Sequence, residues 1–285
     1  DAARAWCVLS ALEPLGTGAA GRSMKPTSAA STQSTFVLLN PVAMDGDCWQ
    51  FLGLAQAQTF HYPGHGGRAR QAAWTFEQMA DEVVEQFPGP LDLLGISMGA
   101  TLAGHILTRH PRRVRSAIIA CSAGVGRVAD LQTRLHSARA RAEPAQRGGM
   151  QGALDANLPR WFTPFARRTG DRGIDYTRNT LLAMEPHAWV DIWMAQANSE
   201  PIAPERLRAV TQPVTIVAGM HDLAAAVGGM VALHELIPNS RMEVISAPHM
   251  IHLERPESLA AAIDRHFTWQ PIGQRVDAIL GSSGL

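Results

Sequence analysis

The chain has 285 residues, 46% hydrophobic and 18% charged, with 25 basic and 25 acidic side chains. That length suffices for a full core in one large or two small domains, and the balanced charge, with no long basic run, argues against nucleic acid or an anionic membrane as a partner. Three cysteines, Cys7, Cys48 and Cys121, imply no disulfide framework and fit a reducing compartment, so a cytoplasmic location is expected, and no apolar stretch reaches transmembrane length.

Residues 1–34 differ in composition from the rest of the chain. Asp1 to Leu15 lacks the basic, apolar and small-residue order of a signal peptide. Gly16 to Ser34 is rich in Gly, Ser, Thr and Ala, which predicts a disordered segment, and Met24-Lys25 reads as a natural start. Phe36 to Leu39 is a short apolar run of the kind found in buried parallel strands. The loop Asn40 to Gly46 comes next, then a predicted helix from Cys48 to Ala57 and a strand from Ala57 to Tyr62. Pro63-Gly64-His65-Gly66-Gly67 is a sharp loop. Thr75 to Phe87 carries Phe76, Met79, Val83, Val84 and Phe87 on one helical stripe, and Pro88-Gly89-Pro90 ends it.

Leu91 to Leu94 predicts a buried strand, and Thr101 to His110 a helix. Between them lies Gly95-Ile96-Ser97-Met98-Gly99, a G-x-S-x-G motif in the strand–turn–helix setting such a motif needs. The turn holds the serine in strained geometry and lifts its hydroxyl clear of the sheet. Gly95 and Gly99 sit where a side chain would collide with neighbouring backbone. The helix starting behind Ser97 favours a developing negative charge. Val114 to Cys121 is another buried strand. Residues 125–208 then break the alternation and read as helical pieces packed over one end of the sheet. Gln212 to Ala218 is a strand, Val227 to Leu236 a helix, Arg241 to Ile245 a last strand and Pro256 to Phe267 a last amphipathic helix. Residues 35–124 and 209–270 are therefore the core, 125–208 a helical lid insertion and 271–285 a frayed tail. The alternation predicts an α/β fold, a mostly parallel sheet with helices on both faces, whose sites lie at the carboxyl ends of the strands.

A serine hydroxyl needs a base to take its proton and a third group to orient that base. With this kind of turn the chain order is Ser, acid, His. Asp222, just after the Val214 to Ala218 strand, is the candidate acid; the bland reading is a turn residue capping the next helix. Asp92 and Asp130 are worse placed. The candidate base is His249 or His252, both after the last strand, with His249 nearer the strand end. The backbone N–H groups of Met98 and Val42 are the candidate oxyanion donors, with Ala43 next, since Pro41 has no N–H. His61 and His65 flank Pro63-Gly64, which forbids a shared helical face, and no carboxylate or thiol cluster supports them, so they read as loop residues and no metal is expected. No dinucleotide or phosphate fingerprint is present, so no cofactor is expected. Trp161, Trp189 and Trp193, with Met184 and Met194, either line an apolar substrate pocket or only pack the insertion onto the body. The expected partner is a small-molecule substrate; the sequence does not set the oligomeric state.

Together these residues resemble the α/β-hydrolase superfamily from about Phe36 to Phe267. The resemblance rests on Gly95 to Gly99, on Ala218-Gly219-Met220-His221-Asp222, and on Pro248-His249 followed by Leu253-Glu254-Arg255-Pro256-Glu257. In the family the histidine of that last stretch is the base, which implies His249 rather than His252. Tyr62-Pro63-Gly64-His65-Gly66 is similar to the family's loop after its fourth strand. Asn40 to Asp45 with Trp49, and Arg160-Trp161-Phe162-Thr163, are similar to the 3-oxoadipate enol-lactonase group, a likeness that implies either a substrate carboxylate on Arg160 or an exposed lid arginine. The chain departs from the family in three places: residues 1–35 hardly provide the two usual preceding strands, Asn40-Pro41 replaces His-Gly, and Leu223 to Ala226 lacks the usual proline. The resemblance implies a serine hydrolase acting on a small ester or lactone. The alternatives are a carbon–carbon bond hydrolase on a vinylogous diketone and a non-catalytic binding protein on the same scaffold.

Overall fold

Six strands form one parallel sheet in the computed structural model, which describes residues 34–269 apart from Ala55 and Ala123. The expectations for residues 1–33 and 271–285, including the absence of strands before Phe36, lie outside the described residues. The strands are β1 (Thr35–Leu39), β2 (Gln58–Phe60), β3 (Leu91–Ile96), β4 (Val114–Ala120), β5 (Val214–Gly219) and β6 (Ser240–Ile245), in the order β2-β1-β3-β4-β5-β6. Every residue of β3 and β5 is buried, as a strand covered on both faces requires, whereas the edge strand β6 is half-exposed.

The chain steps from β1 to β2 in one direction and then from β2 through β6 in the other. Right-handed crossovers therefore send the two sets of connections to opposite faces. On one face lie α1 (Phe76–Gln86) and α2 (Met98–Arg109). A 3₁₀ helix, Gly46–Leu52, lies on the other. The direction reverses at β1, so the carboxyl ends of β1 and β3 border the crevice where such sheets hold their sites.

The capping box of α1 is complete: Gln78 N donates to Thr75 Oγ1 at 3.3 Å and Thr75 N to Gln78 Oε1 at 2.9 Å. Phe76, Met79, Ala80 and Val83 form its buried stripe. Helix α2 is buried from Met98 through Leu107, because α1 covers the side that the sheet does not. The helix expected from Cys48 to Ala57 is instead the short 3₁₀ turn. Asn40 Oδ1 accepts from Trp49 Nε1 at 2.6 Å and pulls the segment down, and Gly53 ends it at φ +65°.

Between β4 and β5 lie α3 (Leu131–Trp161), α4 (Pro164–Thr169), α5 (Arg172–Ala183), α6 (Pro186–Asn198) and α7 (Pro204–Arg208). Three of these five begin with proline, whose fixed φ and missing N–H suit a first helical position. Helix α3 is broken at Gly148 and Gly149, and the latter takes φ +60° and ψ −162°, a region essentially closed to other residues. After β5 come α8 (Val227–Leu236), α9 (Ile251–Glu254) and α10 (Pro256–Thr268), the last packed beside the 3₁₀ helix on the second face. Among the described residues no helix is long and apolar enough to cross a membrane.

Candidate active site

Ser97 follows the last residue of β3 and precedes α2, with φ 56° and ψ −111°. Strain of this kind costs about 1–3 kcal/mol and persists only where the surroundings enforce it. Here the enforcement is backbone crowding. A Cβ on Gly95 would lie 2.2 Å from the Gly99 carbonyl oxygen, and one on Gly99 would lie 1.8 Å from that of Leu39. The Ser97 N–H is tied to the Ala120 carbonyl at 2.9 Å.

Two further loops converge on the hydroxyl. The first leaves β5 and carries Asp222; the second leaves β6 and carries His249. They are zipped together by Met220 N to Ile245 O at 2.8 Å and His221 N to Ala247 O at 3.0 Å. Ser97 Oγ lies 2.9 Å from His249 Nε2, and His249 Nδ1 lies 2.7 Å from Asp222 Oδ2. Both His249 and Asp222 are buried. The natural assignment is a proton on Nδ1, donated to the carboxylate, leaving Nε2 to accept from the serine. Asp222 also fulfils its bland reading, since Oδ1 accepts from the N–H groups of Ala224 and Ala225, each at 2.7 Å. One oxygen caps the turn while the other holds the imidazole.

The remaining sequence candidates sort by position. His252 is fully buried against Trp49, with neither ring nitrogen hydrogen-bonded among the described residues, and burial, with the neighbouring His249, lowers its pKa to about 3. Asp92 sits near the amino end of β3, holding Arg115, Ser116 and Ser34. Cys121, Asp222 and His249 bring donor atoms within 4.8 Å, a spacing that suits a metal ion. However, both imidazole nitrogens are engaged, and burial and then the Asp222 charge push the thiol up and keep it neutral.

The N–H groups of Met98 and Val42 have no hydrogen-bond acceptor among the described residues. Ala43, the second choice on the oxyanion loop, is different: its N–H donates to His65 Nε2 at 3.1 Å, so it is already occupied. His65 completes the brace through Nδ1, 3.1 Å from the Pro63 carbonyl. It is buried, and burial lowers its pKa to about 4, with a smaller contribution from His61. The sequence marks His65 only as a loop residue; its partner is a backbone group 22 positions away, which no residue letter reports. Asn40 and Asp45 fasten the same loop, the latter accepting from Tyr176 Oη at 2.6 Å.

Trp161, Trp189 and Trp193 are buried, and Trp189 packs against both of the others, with ring centroids 6.4 Å from Trp161 and 5.4 Å from Trp193. The Trp161 carbonyl accepts from Met250 N at 3.1 Å, and Glu254 accepts from Thr163 N and Oγ1 at 3.0 and 2.6 Å. The helices between β4 and β5 thus hold the loop that carries His249. Arg160 forms no ion pair among the described residues.

The chain matches the Alpha/beta hydrolase family over residues 36–262. Among curated proteins it is 24% identical over 207 residues to a 3-oxoadipate enol-lactonase of Acinetobacter baylyi, covering 70% of this chain and 74% of that protein. It is 24% identical over 261 residues to the pimeloyl-acyl-carrier-protein methyl ester esterase of Nitrosomonas europaea, covering 80% and 93%. Its fold superposes on the enol-lactonase of Burkholderia xenovorans with a TM-score of 0.72 at 21% identity, over 83% and 92% of the two chains.

Proposed function

The chain belongs to the Alpha/beta hydrolase family and is an enzyme of that family, and on that premise we propose that it is a serine hydrolase cleaving a small-molecule ester or lactone through an acyl-enzyme. The observation that carries this reading is the unbroken chain from Ser97 Oγ to His249 Nε2 at 2.9 Å and from His249 Nδ1 to Asp222 Oδ2 at 2.7 Å. Ser97 Oγ attacks the carbonyl carbon as its proton passes to Nε2. Asp222 fixes the ring orientation and stabilises the imidazolium. The N–H groups of Met98 and Val42 receive the carbonyl oxygen as it becomes an oxyanion, and the start of α2 adds its dipole. His249 returns the proton to the leaving alkoxide. A water molecule then gives its proton to Nε2 and attacks the acyl carbon, and the serine leaves with that proton restored. We assign the substrate to the ester and lactone class because the curated relatives are named for those bonds. The sparse cysteines support a cytoplasmic location.

A fluorophosphonate probe will label the protein at Ser97. Hydrolysis of p-nitrophenyl acetate will fall by about 10⁴-fold or more in Ser97→Ala and by a similar factor in His249→Ala, as for residues that act as one unit. A folded Ser97→Ala protein that keeps its hydrolytic rate rejects the reading.

A further inference from the structure

A cavity of about 160 Å³ lies where α3 and α6 meet the segment 199–202 and the first turns of α1 and α2. Its walls include none of Ser97, Met98, Val42, Asp222 or His249. Its link to the hydrolytic centre is Thr101, whose Oγ1 lies 3.4 Å from the Ser97 carbonyl oxygen.

The charged groups of this cavity are unbalanced in one direction. Arg127, Arg134 and Arg141 all line it, and none of them has an ion-pair partner among the described residues. Arg134 gives one N–H to the Ser199 carbonyl, while its Nε is buried without an acceptor. The guanidinium of Arg141 lies over the Trp193 ring, 4.9 Å from its centroid. Trp193 is itself 8% exposed, and its buried Nε1 also lacks an acceptor. Burial lowers the pKa of Arg141, and the charges of Arg160 and Arg127 lower it further. Glu200 is the one carboxylate on the wall; it is exposed and pairs with none of the three arginines. The two buried polar atoms of this wall that lack a partner, Arg134 Nε and Trp193 Nε1, are thus both donors, and one of them belongs to a guanidinium group. Buried donors of this kind are costly when left unmatched.

Such a lining calls for a ligand whose polar end only accepts and carries negative charge. A planar guanidinium matches a carboxylate in two parallel hydrogen bonds. Phe76, Ala138, Ala197 and Ile202 give the wall an apolar portion, beside neutral polar side chains such as Thr133, Ser137 and Gln196. The volume is close to that of a cavity that holds benzene, about 150 Å³. We propose that this cavity binds a small carboxylate with an apolar body, the acid group held by Arg141 with Arg134 and Trp193 Nε1 donating to it. The site does not depend on Ser97 being a nucleophile, so it stands apart from the hydrolytic reading.

Isothermal titration of hexanoate and its neutral isostere hexanamide, into the wild-type protein and into Ser97→Ala, tests the assignment. Hexanoate binds both proteins saturably and at least about tenfold more tightly than hexanamide, a difference of about 1.4 kcal/mol. Arg141→Met weakens hexanoate by a similar factor. Trp193→Phe, which keeps a ring beneath Arg141 but removes the donor, weakens it less. Arg127→Met, on an exposed loop, supplies a variant that leaves the packing in place and still lowers affinity for the acid without changing that for the amide. Absence of saturable binding, equal affinity for acid and amide, or unchanged hexanoate affinity in both Arg141→Met and Arg127→Met overturns the proposal. Inhibition of ester hydrolysis separates the source of the acid: a rise in KM alone assigns it to substrate or product, and a fall in kcat at constant KM assigns it to a separate ligand.

Discussion

His65 shows how much one side chain sets at the residue scale. It accepts from Ala43 N at 3.1 Å and lies 3.1 Å from the Pro63 carbonyl, so only the neutral tautomer with its proton on Nδ1 satisfies both contacts. Ala43 is held at φ +63°, a conformation that needs such support. The residue before it, Val42, carries one of the proposed oxyanion donors. Losing an oxyanion donor outright costs about 10²- to 10³-fold in kcat, and losing its brace costs less. His65→Ala is therefore expected to lower kcat on p-nitrophenyl acetate by about tenfold with little change in KM, and His65→Gln, which restores an acceptor, to recover part of it. Equal losses in kcat for Ala and Gln, or a change confined to KM, count against the brace. His252 makes the opposite case. It lies at hydrogen-bonding reach of nothing among the described residues, so His252→Leu is expected to keep hydrolysis and to leave thermal stability equal or higher, since an unmatched buried imidazole is removed. Loss of turnover in a folded His252→Leu protein contradicts the choice of His249 as base.

At the scale of elements, what the sequence reveals depends on whether a segment's partners are local. The interior strands were legible because burial on both faces leaves an unbroken apolar run, as in Ile118 to Ala120 or Ile216 to Ala218. The turn at Ser97 was legible because its motif is spelled within five residues, with Gly95 dictated by the Gly99 backbone inside it, although Gly99 itself answers to the distant Leu39 carbonyl. Asp222 and His249 were legible as strand-end residues in the required order. The 3₁₀ turn at Gly46–Leu52 was not, because the hydrogen bond from Trp49 to Asn40 overrides the helical pattern. Nor was the layout within 125–208: the buried positions in the first half of α3 are Ala138, Ala142 and Ala145, too small to draw a hydrophobic stripe. The break in α3 is written in two glycines. Because Gly149 occupies a region closed to side chains, Gly149→Ala is expected to cost about 1–3 kcal/mol, whereas Gly148→Ala, at φ −124°, costs much less. Thermal melts of the two variants check this; equal melting temperatures mean that α3 is not broken there in solution.

For the whole molecule, the same burial that builds the core also sets its response to acid. His65, His105 and His266 have pKa values lowered to about 4 and His252 to about 3, in each case chiefly by burial. Their lesser influences differ. His105 faces Arg206 and Arg109 but also Glu77, 3.6 Å away, which partly offsets its burial. His266 faces Arg241 and Arg115, opposed by Asp92 and Glu243, and shares a 2.8 Å hydrogen bond with Thr215. In the unfolded chain each imidazole takes its proton near the ordinary value, about 6.5. Between that pH and about 4 the unfolded state therefore binds more protons than the folded one, and stability falls as pH falls. The contribution is complete above about pH 6.5 and lost by the time pH reaches the folded values. Each proton sets a slope of up to about 1.4 kcal/mol per pH unit, and the four groups add to one another. Carboxylates held down by arginine, such as Asp81 beside Arg109, lose their contribution only at lower pH and leave this window to the histidines. Denaturant unfolding at intervals from pH 7.5 to pH 4.5 should show stability flat at the upper end and dropping steeply below about 6.5. Replacing His266 by Gln, which keeps a polar partner for Thr215 but does not titrate, should make that drop shallower by about one proton's slope. A profile level across the whole range means that these side chains are hydrated or charged in the folded protein and that the core around them is looser than their burial implies.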